Sequence, residues 1–120
     1  MESTLDEQIE HIVASGNRGY ITMAEHHLTA YIRITKRYNH DRKEMIETLE
    51  IGNIEVKKRY RGRGNCSSFL DAFERCAKKR KRAVFVEIVH SDTLAKILDG
   101  RKYTETVTVG SSQRDYWKFF

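Results

Sequence analysis

Between residues 43 and 89 a hydrophobic period of two gives way to one of 3.6 and then to a nearly continuous apolar run, an order that constrains the fold more than any other feature of the chain. Cys66, Phe69, Leu70, Phe73, Cys76 and Ala77 recur at i, i+3, i+4 and i+7, which predicts an amphipathic helix from near Asn65 to about Arg80. Residues 83–89 then run almost continuously apolar, as a central strand covered on both faces does. An alternating run at 43–57 comes before the helix. Strand, helix and strand in this order predict a right-handed βαβ unit, with the strand at 83–89 parallel to the one at 54–57.

The run at 43–57 carries an irregularity. Met45, Leu49 and Ile51 sit at odd positions, whereas Ile54 and Val56 sit at even ones, so the apolar phase slips by one residue across Gly52 and Asn53. A slip of one residue turns every later side chain to the other face. Either a β-bulge absorbs the extra residue there, or two short strands meet at a Gly-Asn turn.

The rest of the chain reads as support. Thr4 and Glu7 form a capping box for a short helix carrying Leu5, Ile9, Ile12 and Val13, which Gly16 can end. Residues 20–24 are too short for pattern alone. Leu28, Ala30, Ile32 and Ile34 then share one face of a strand, and Asn39, His40 and Asp41 read as the turn of an antiparallel meander. Ser91 can cap a second short helix with Leu94, Ile97 and Leu98 inward and Gly100 at its end. Residues 103–109, a Gly110-Ser111-Ser112 turn and residues 114–120 read as a closing hairpin. Proline, the usual helix stop, is absent.

At 120 residues and 39% hydrophobic content the chain suits a single domain, 1–120, with a core that needs no staples. No run approaches the roughly 20 apolar residues of a membrane span. The acidic start, Met1 to Glu10, resembles no targeting peptide, so a cytoplasmic protein without membrane attachment is expected. Cys66 and Cys76, ten residues apart on one helix, lie about 15 Å from each other. They cannot pair, and their place in the apolar stripe makes them buried thiols rather than reactive ones. His11, His26, His27, His40 and His90 show no ligand spacing, so no metal is expected. The net charge of +5 comes mostly from two clusters, Lys57, Lys58, Arg59, Arg61 and Arg63, then Lys78 to Arg82. Both clusters suit anionic partners, though the second also complements the dipole at a helix C-terminus.

The first cluster enters Arg59, Tyr60, Arg61, Gly62, Arg63 and Gly64, between the alternating run and the long helix. Closely spaced glycines at a helix N-terminus let backbone N–H groups close on an anion, and arginines add charge-assisted bonds. These residues resemble the GNAT superfamily of N-acetyltransferases. That family's signature, Arg or Gln, two residues, Gly, one residue, then Gly or Ala, stands here as Arg59, Gly62 and Gly64. The resemblance covers roughly residues 45–109 well and the N-terminal region in outline. It implies a mixed α+β fold: a mostly antiparallel sheet, a central parallel strand pair splayed beside a bulge, and flanking helices.

By resemblance, acetyl-CoA is the acyl donor and an amine-bearing small molecule or protein is the acceptor, attacking the thioester directly. The backbone of Ile54, Glu55 and Val56 would pair with the pantetheine arm. Arg59 and the N–H groups of Arg61, Gly62, Arg63, Gly64, Asn65 and Cys66 would face the pyrophosphate. Ser91 stands where the family often has a cofactor-contacting Asn. An ammonium acceptor must lose its proton before attack; Glu50, just before the expected bulge, Glu55 and His90 are the candidate bases. Glu87 interrupts an apolar strand and belongs either at the cleft or against an arginine. The family's leaving-group tyrosine falls at Leu98, and Tyr103 takes the place of an aromatic that follows that helix.

Two other readings remain at this stage. A member that binds acyl-CoA or a partner without turnover is one, motivated by Leu98. A basic nucleic-acid-binding protein is the other, because residues 57–63 look like an arginine-glycine segment; such segments are usually repeated and disordered, whereas this one occurs once. The basic surface also suits acidic or nucleic-acid-associated partners, and Tyr116, Trp117, Phe119 and Phe120 are core or a homodimer contact.

Overall fold

Alternating apolar residues build one sheet, and helical stripes cover one of its faces. The computed structural model describes residues 4–16, 18–23, 28–56, 64–87, 89, 92–107 and 114–120. Its elements run α1 (Leu5–Ala14), β1 (Arg18–Met23), β2 (Leu28–Asn39), β3 (Glu44–Val56), α2 (Asn65–Lys79), β4 (Ala83–Val86), α3 (Asp92–Gly100), β5 (Thr104–Val107) and β6 (Arg114–Lys118). The six strands form one sheet in the order β1-β2-β3-β4-β6-β5. Among the described residues only β3 and β4 pair in parallel. This is the α+β class that the sequence predicts, and the short segment near Tyr20 is the edge strand β1. Among the described residues, no helix is long and apolar enough to cross a membrane.

One face of the sheet presents Ile21, Ala30, Ile32, Leu49, Ile51, Val84, Val86 and Tyr116 to Ile9 and Val13 of α1, Phe69, Phe73 and Ala77 of α2, and Ala95 and Leu98 of α3. The stripe read from the sequence is the stripe that α2 buries. On the opposite face Ala83, Phe85 and Trp117 form a small cluster with Ile46 and Phe119, which no described helix residue joins. Guanidinium groups cover it instead: Arg37 lies 4.1 Å over the Phe85 ring and Arg42 3.5 Å over the Phe119 ring. Tyr116 and Trp117 are therefore core and Phe119 half-buried, while Phe120 is exposed.

The capping box is present. The Glu7 amide donates to Thr4 Oγ1 at 3.1 Å, and the Thr4 amide donates back to Glu7 Oε1 at 3.3 Å. Neither of the other two helices ends on a glycine in the left-handed region. At the end of α2 the Arg82 amide donates to Ala77 O and the Lys81 amide to Lys78 O, with Lys81 at φ 56°. After α3, Tyr103 and Lys102 donate to Leu98 O and Asp99 O in the same pattern, with Lys102 at φ 67°. Both are the double-bonded C-terminal turn usually built on glycine, and Gly100 sits inside the helix instead of at the turn. Lys102→Gly is accordingly expected to stabilise the fold by about 0.5–1 kcal/mol in urea unfolding, since the strain relieved exceeds the entropy that glycine adds to the unfolded chain.

Two expectations change. The parallel partner of β4 is not residues 54–57 but Thr48, Leu49, Glu50 and Ile51, opposite Ala83, Val84, Phe85 and Val86. The strand at 83–89 also ends as a strand at Val86. The phase slip located the bulge, but nothing in hydrophobic alternation says on which side of it a neighbouring strand pairs. The closing hairpin is β5 against β6; its Gly110-Ser111-Ser112 turn, like Ser91, lies outside the described residues.

Candidate functional site

The bulge is real and lies at Gly52. Across β2 and β3, Ile32 pairs with Ile51 and Tyr31 with Asn53, so Gly52 is the extra residue and β3 continues through it. The parallel ladder ends at the same level. Its last bond runs from the Glu87 amide to Ile51 O at 3.1 Å, after which the Val89 amide donates to Arg114 O at 2.8 Å. β3 meanwhile stays with β2 as far as Val56, opposite Leu28. The two parallel chains therefore part at Ile51 and Glu87, and residues 53–56 have no described partner on the β4 side.

A charged network sits at this apex on the face away from the helices. Glu50 is fully buried. Its Oε1 accepts from Arg33 Nε at 3.0 Å, Arg33 Nη2 at 2.8 Å and Arg37 Nη2 at 2.9 Å; its Oε2 accepts from Arg37 Nε at 2.9 Å and Thr48 Oγ1 at 2.8 Å. Burial alone would raise the Glu50 carboxyl, but the bonds from Arg37, Thr48 and Arg33 together hold it below the ordinary carboxylate value. Arg33 Nη2 also reaches Glu87 Oε2 at 2.7 Å, and Arg37 Nη2 lies 3.5 Å from the same oxygen.

Arg33 stands on β2 and Glu87 just beyond β4, so the guanidinium must pass over β3. Gly52 makes the passage possible. A Cβ there would lie 2.9 Å from Arg33 Nη1 and 2.8 Å from Tyr31 Cδ1, closer than packed atoms tolerate. Tyr31 in turn meets the exposed Tyr20 ring at 5.0 Å between centroids.

Among the described residues no side chain caps the N-terminus of α2. Gly64 is its N-cap at φ 76°, contributes no side-chain bond, and is followed by no acidic residue in the first turn. The first helical bond is Ser68 N to Gly64 O at 3.0 Å, so the amides of Asn65, Cys66 and Ser67 have no partner within the helix. Among the described residues, its chain neighbours aside, nothing lies within 4 Å of where a Cβ at Gly64 would stand. Such an end attracts an anion. The contrast with α1, whose first turn holds Asp6, Glu7 and a capping box, is plain.

The structure brings together Glu50, Glu87, the bulge and the backbone of Ile54, Glu55 and Val56, which pairs with β2 and has no described partner on the β4 side, with Glu55 exposed. Gly64, Asn65 and Cys66 open α2, whereas Arg59, Arg61, Gly62, Arg63, His90 and Ser91 lie outside the described residues. Leu98 is fully buried in the main core. Tyr103 donates its hydroxyl to Glu74 Oε2 at 3.0 Å, and burial, with the Glu74 charge, raises its pKa. Burial also raises the thiols, Cys66 to about 11 and Cys76 to about 12, the latter helped by its bond to Glu10. Among the described residues no group of His, Cys, Asp and Glu could hold a metal ion. Arg33 and Arg37 were not anticipated. The signal was available: a turn that pairs Asn39 with Glu44 also sets Arg33 opposite Glu50.

No family model and no curated protein matches the chain. Among solved structures it is similar to Ard1 from Thermoplasma volcanium, with 16% identity, a TM-score of 0.53, and coverage of 99% of this chain and 95% of that one. It is also similar to Arabidopsis thaliana Naa50 in complex with the bisubstrate analogue CoA-Ac-MVNAL, with 15% identity, a TM-score of 0.49, and coverage of 79% and 74%. At such identities the likeness is one of fold, and the fold is GNAT-like.

Proposed function

We propose, with the GNAT-like fold as premise, that this chain is an acetyl-CoA-dependent N-acetyltransferase. The observation that carries the reading is the splay of β3 from β4 at Ile51 and Glu87, directly beside the Gly52 bulge. An extended acyl-pantetheine arm fits there as a substitute strand, bonded to the backbone of residues 53–56. The amides of Asn65, Cys66 and Ser67 would take a phosphate of the donor, and the open space at Gly64 leaves room for its approach. Bound there, acetyl-CoA supplies the acyl thioester.

Direct attack by the acceptor amine is favoured over an acyl-cysteine relay, because both thiols are held protonated by burial. Glu50 has its lone pairs occupied by five donors, so we assign it a positioning role. Glu87 is the better base for the acceptor ammonium. It stands at the apex, is 27% exposed, and every described bond it makes uses Oε2. Glu55, exposed on the splayed segment, is the second candidate.

Titration calorimetry with acetyl-CoA tests the reading; no heat of binding at about 100 µM ligand would sink it. Gly64→Val is expected to weaken binding by at least about tenfold. A β-branched residue at φ 76° is strained and fills the open approach, while the helix forfeits no side-chain cap, having none at Gly64. Unchanged affinity would place the donor elsewhere. A second reading, acyl-CoA binding without turnover, is favoured by Leu98 in the core and by the engaged Tyr103 hydroxyl. Acetyl transfer to a panel of amines separates the two.

A further inference from the structure

At the end of the sheet away from the splay, β3 starts four residues before its neighbour β4. The parallel register begins with Thr48 opposite Ala83, and no described strand pairs with residues 44–47 on that side. The chain entering β4 does not fill the place, because the turn at Lys81 and Arg82 is bonded back onto α2. On the far side Phe119 and Phe120 continue beyond β6, whose Lys118 lies opposite Val84. Strands two places apart in a sheet are separated by roughly 10 Å. A slot one strand wide, with a volume of about 600 Å³, therefore opens between residues 44–47 and the Phe119-Phe120 segment.

Among the described residues no backbone pairs with the β4 side of the edge at 44–47. Ile51 turns its carbonyl toward β4, so by the period of two Glu47 and Met45 turn their N–H and C=O the same way, into the slot. Part of its lining is apolar, with Ile46, Ala83 and Phe119 inside and Met45 and Phe120 exposed at the rim by 59% and 54%. It is also basic. Arg42, Lys78, Lys81 and Arg82 line it against Glu44 and Glu47. Arg82 bonds the carbonyls of Thr35 and Thr48, and Arg42 lies on Phe119, so neither is neutralised by a carboxylate among the described residues.

We propose that this slot binds an extended acidic peptide segment of a partner protein, added as a short strand along β3. A strand there would point alternate side chains toward Lys78 and Lys81 on the helix side and toward Arg42 on the other. A peptide suits the slot better than a nucleic-acid strand because its width and free backbone groups match a β-strand. The Phe119 ring is also no platform for bases, being covered by Arg42 on one side and stacked on Trp117 at 5.6 Å.

Fluorescence anisotropy with a labelled peptide of about six residues alternating Glu and Val tests this on the intact protein, with a thymidine oligonucleotide as competitor probe. Micromolar binding of the peptide is expected. The double substitution Lys78→Glu with Lys81→Glu, both exposed, should weaken it by at least about tenfold. N-methylation of alternate peptide nitrogens should abolish binding in one phase and spare it in the other, since only one set faces β3. Tighter binding of the oligonucleotide, indifference to the double substitution, indifference to both methylation phases, or no peptide binding at about 1 mM would each overturn the proposal. None of these outcomes depends on acetyl-CoA, whose binding the double substitution should leave unchanged.

Discussion

Glu50→Ala is expected to lower the stability of the fold by about 3 kcal/mol, toward the lower end of the range for removing one partner from a buried ion pair. The carboxylate is fully buried and accepts from two arginines and Thr48. Its removal leaves two guanidinium groups facing each other with only Glu87 Oε2 as a shared counter-charge. Arg37 is 36% exposed and can turn toward water, which keeps the cost from the top of the range. Urea unfolding checks it; a loss under about 1 kcal/mol would put the network in the class of surface pairs. The pH dependence has a definite sign. Because the folded-state pKa of Glu50 lies below 4.5, its contribution is complete above that value and is lost as pH falls through the lower folded value. Glu50→Gln should therefore flatten the acid limb of the stability curve and leave the alkaline limb as it was.

Gly52→Ala is the second large effect. The new methyl would press on the Tyr31 ring at 2.8 Å and on Arg33 Nη1 at 2.9 Å. Overpacking of this kind costs about 1–3 kcal/mol. The arginine tip gives way more easily than the ring, so the ion pair from Arg33 to Glu87 is what breaks. A double-mutant cycle isolates this cause: with Arg33→Met already in place, Gly52→Ala should cost at least about 1 kcal/mol less than in the native background. Additive costs would mean that the glycine serves the backbone alone. If Glu87 takes the acceptor proton, Gly52→Ala should also shift the pH profile of acetyl transfer while leaving the affinity for acetyl-CoA largely intact.

Much of the fold was legible because hydrophobic period is strong where one face is buried. The α2 stripe from Cys66 to Ala77, the capping box at Thr4 and the slip at Gly52 each follow from a pattern that packing enforces. The partner of β4 was not legible past its direction. The continuous apolar run of 83–89 fits any register, and the choice of residues 48–51 over 54–57 is made by the bulge and by the chain leaving toward Arg114. The left-handed turns at Lys81 and Lys102 were invisible for the opposite reason: the sequence places lysine where local preference asks for glycine. In the candidate site, Glu50 was readable as a carboxylate near the bulge, but its state depended on Arg33 and Arg37, which only the β2–β3 register brings to it.

Arg33 also acts as a stop. Since it grips Glu87 at the level of the last β3–β4 hydrogen bond, the seam between those strands cannot tear further toward Thr48 without first breaking a half-buried ion pair. The opening consequently has a fixed inner end, at Ile51 and Glu87. If an acyl-pantetheine arm enters as proposed, its advance would be halted at Glu87.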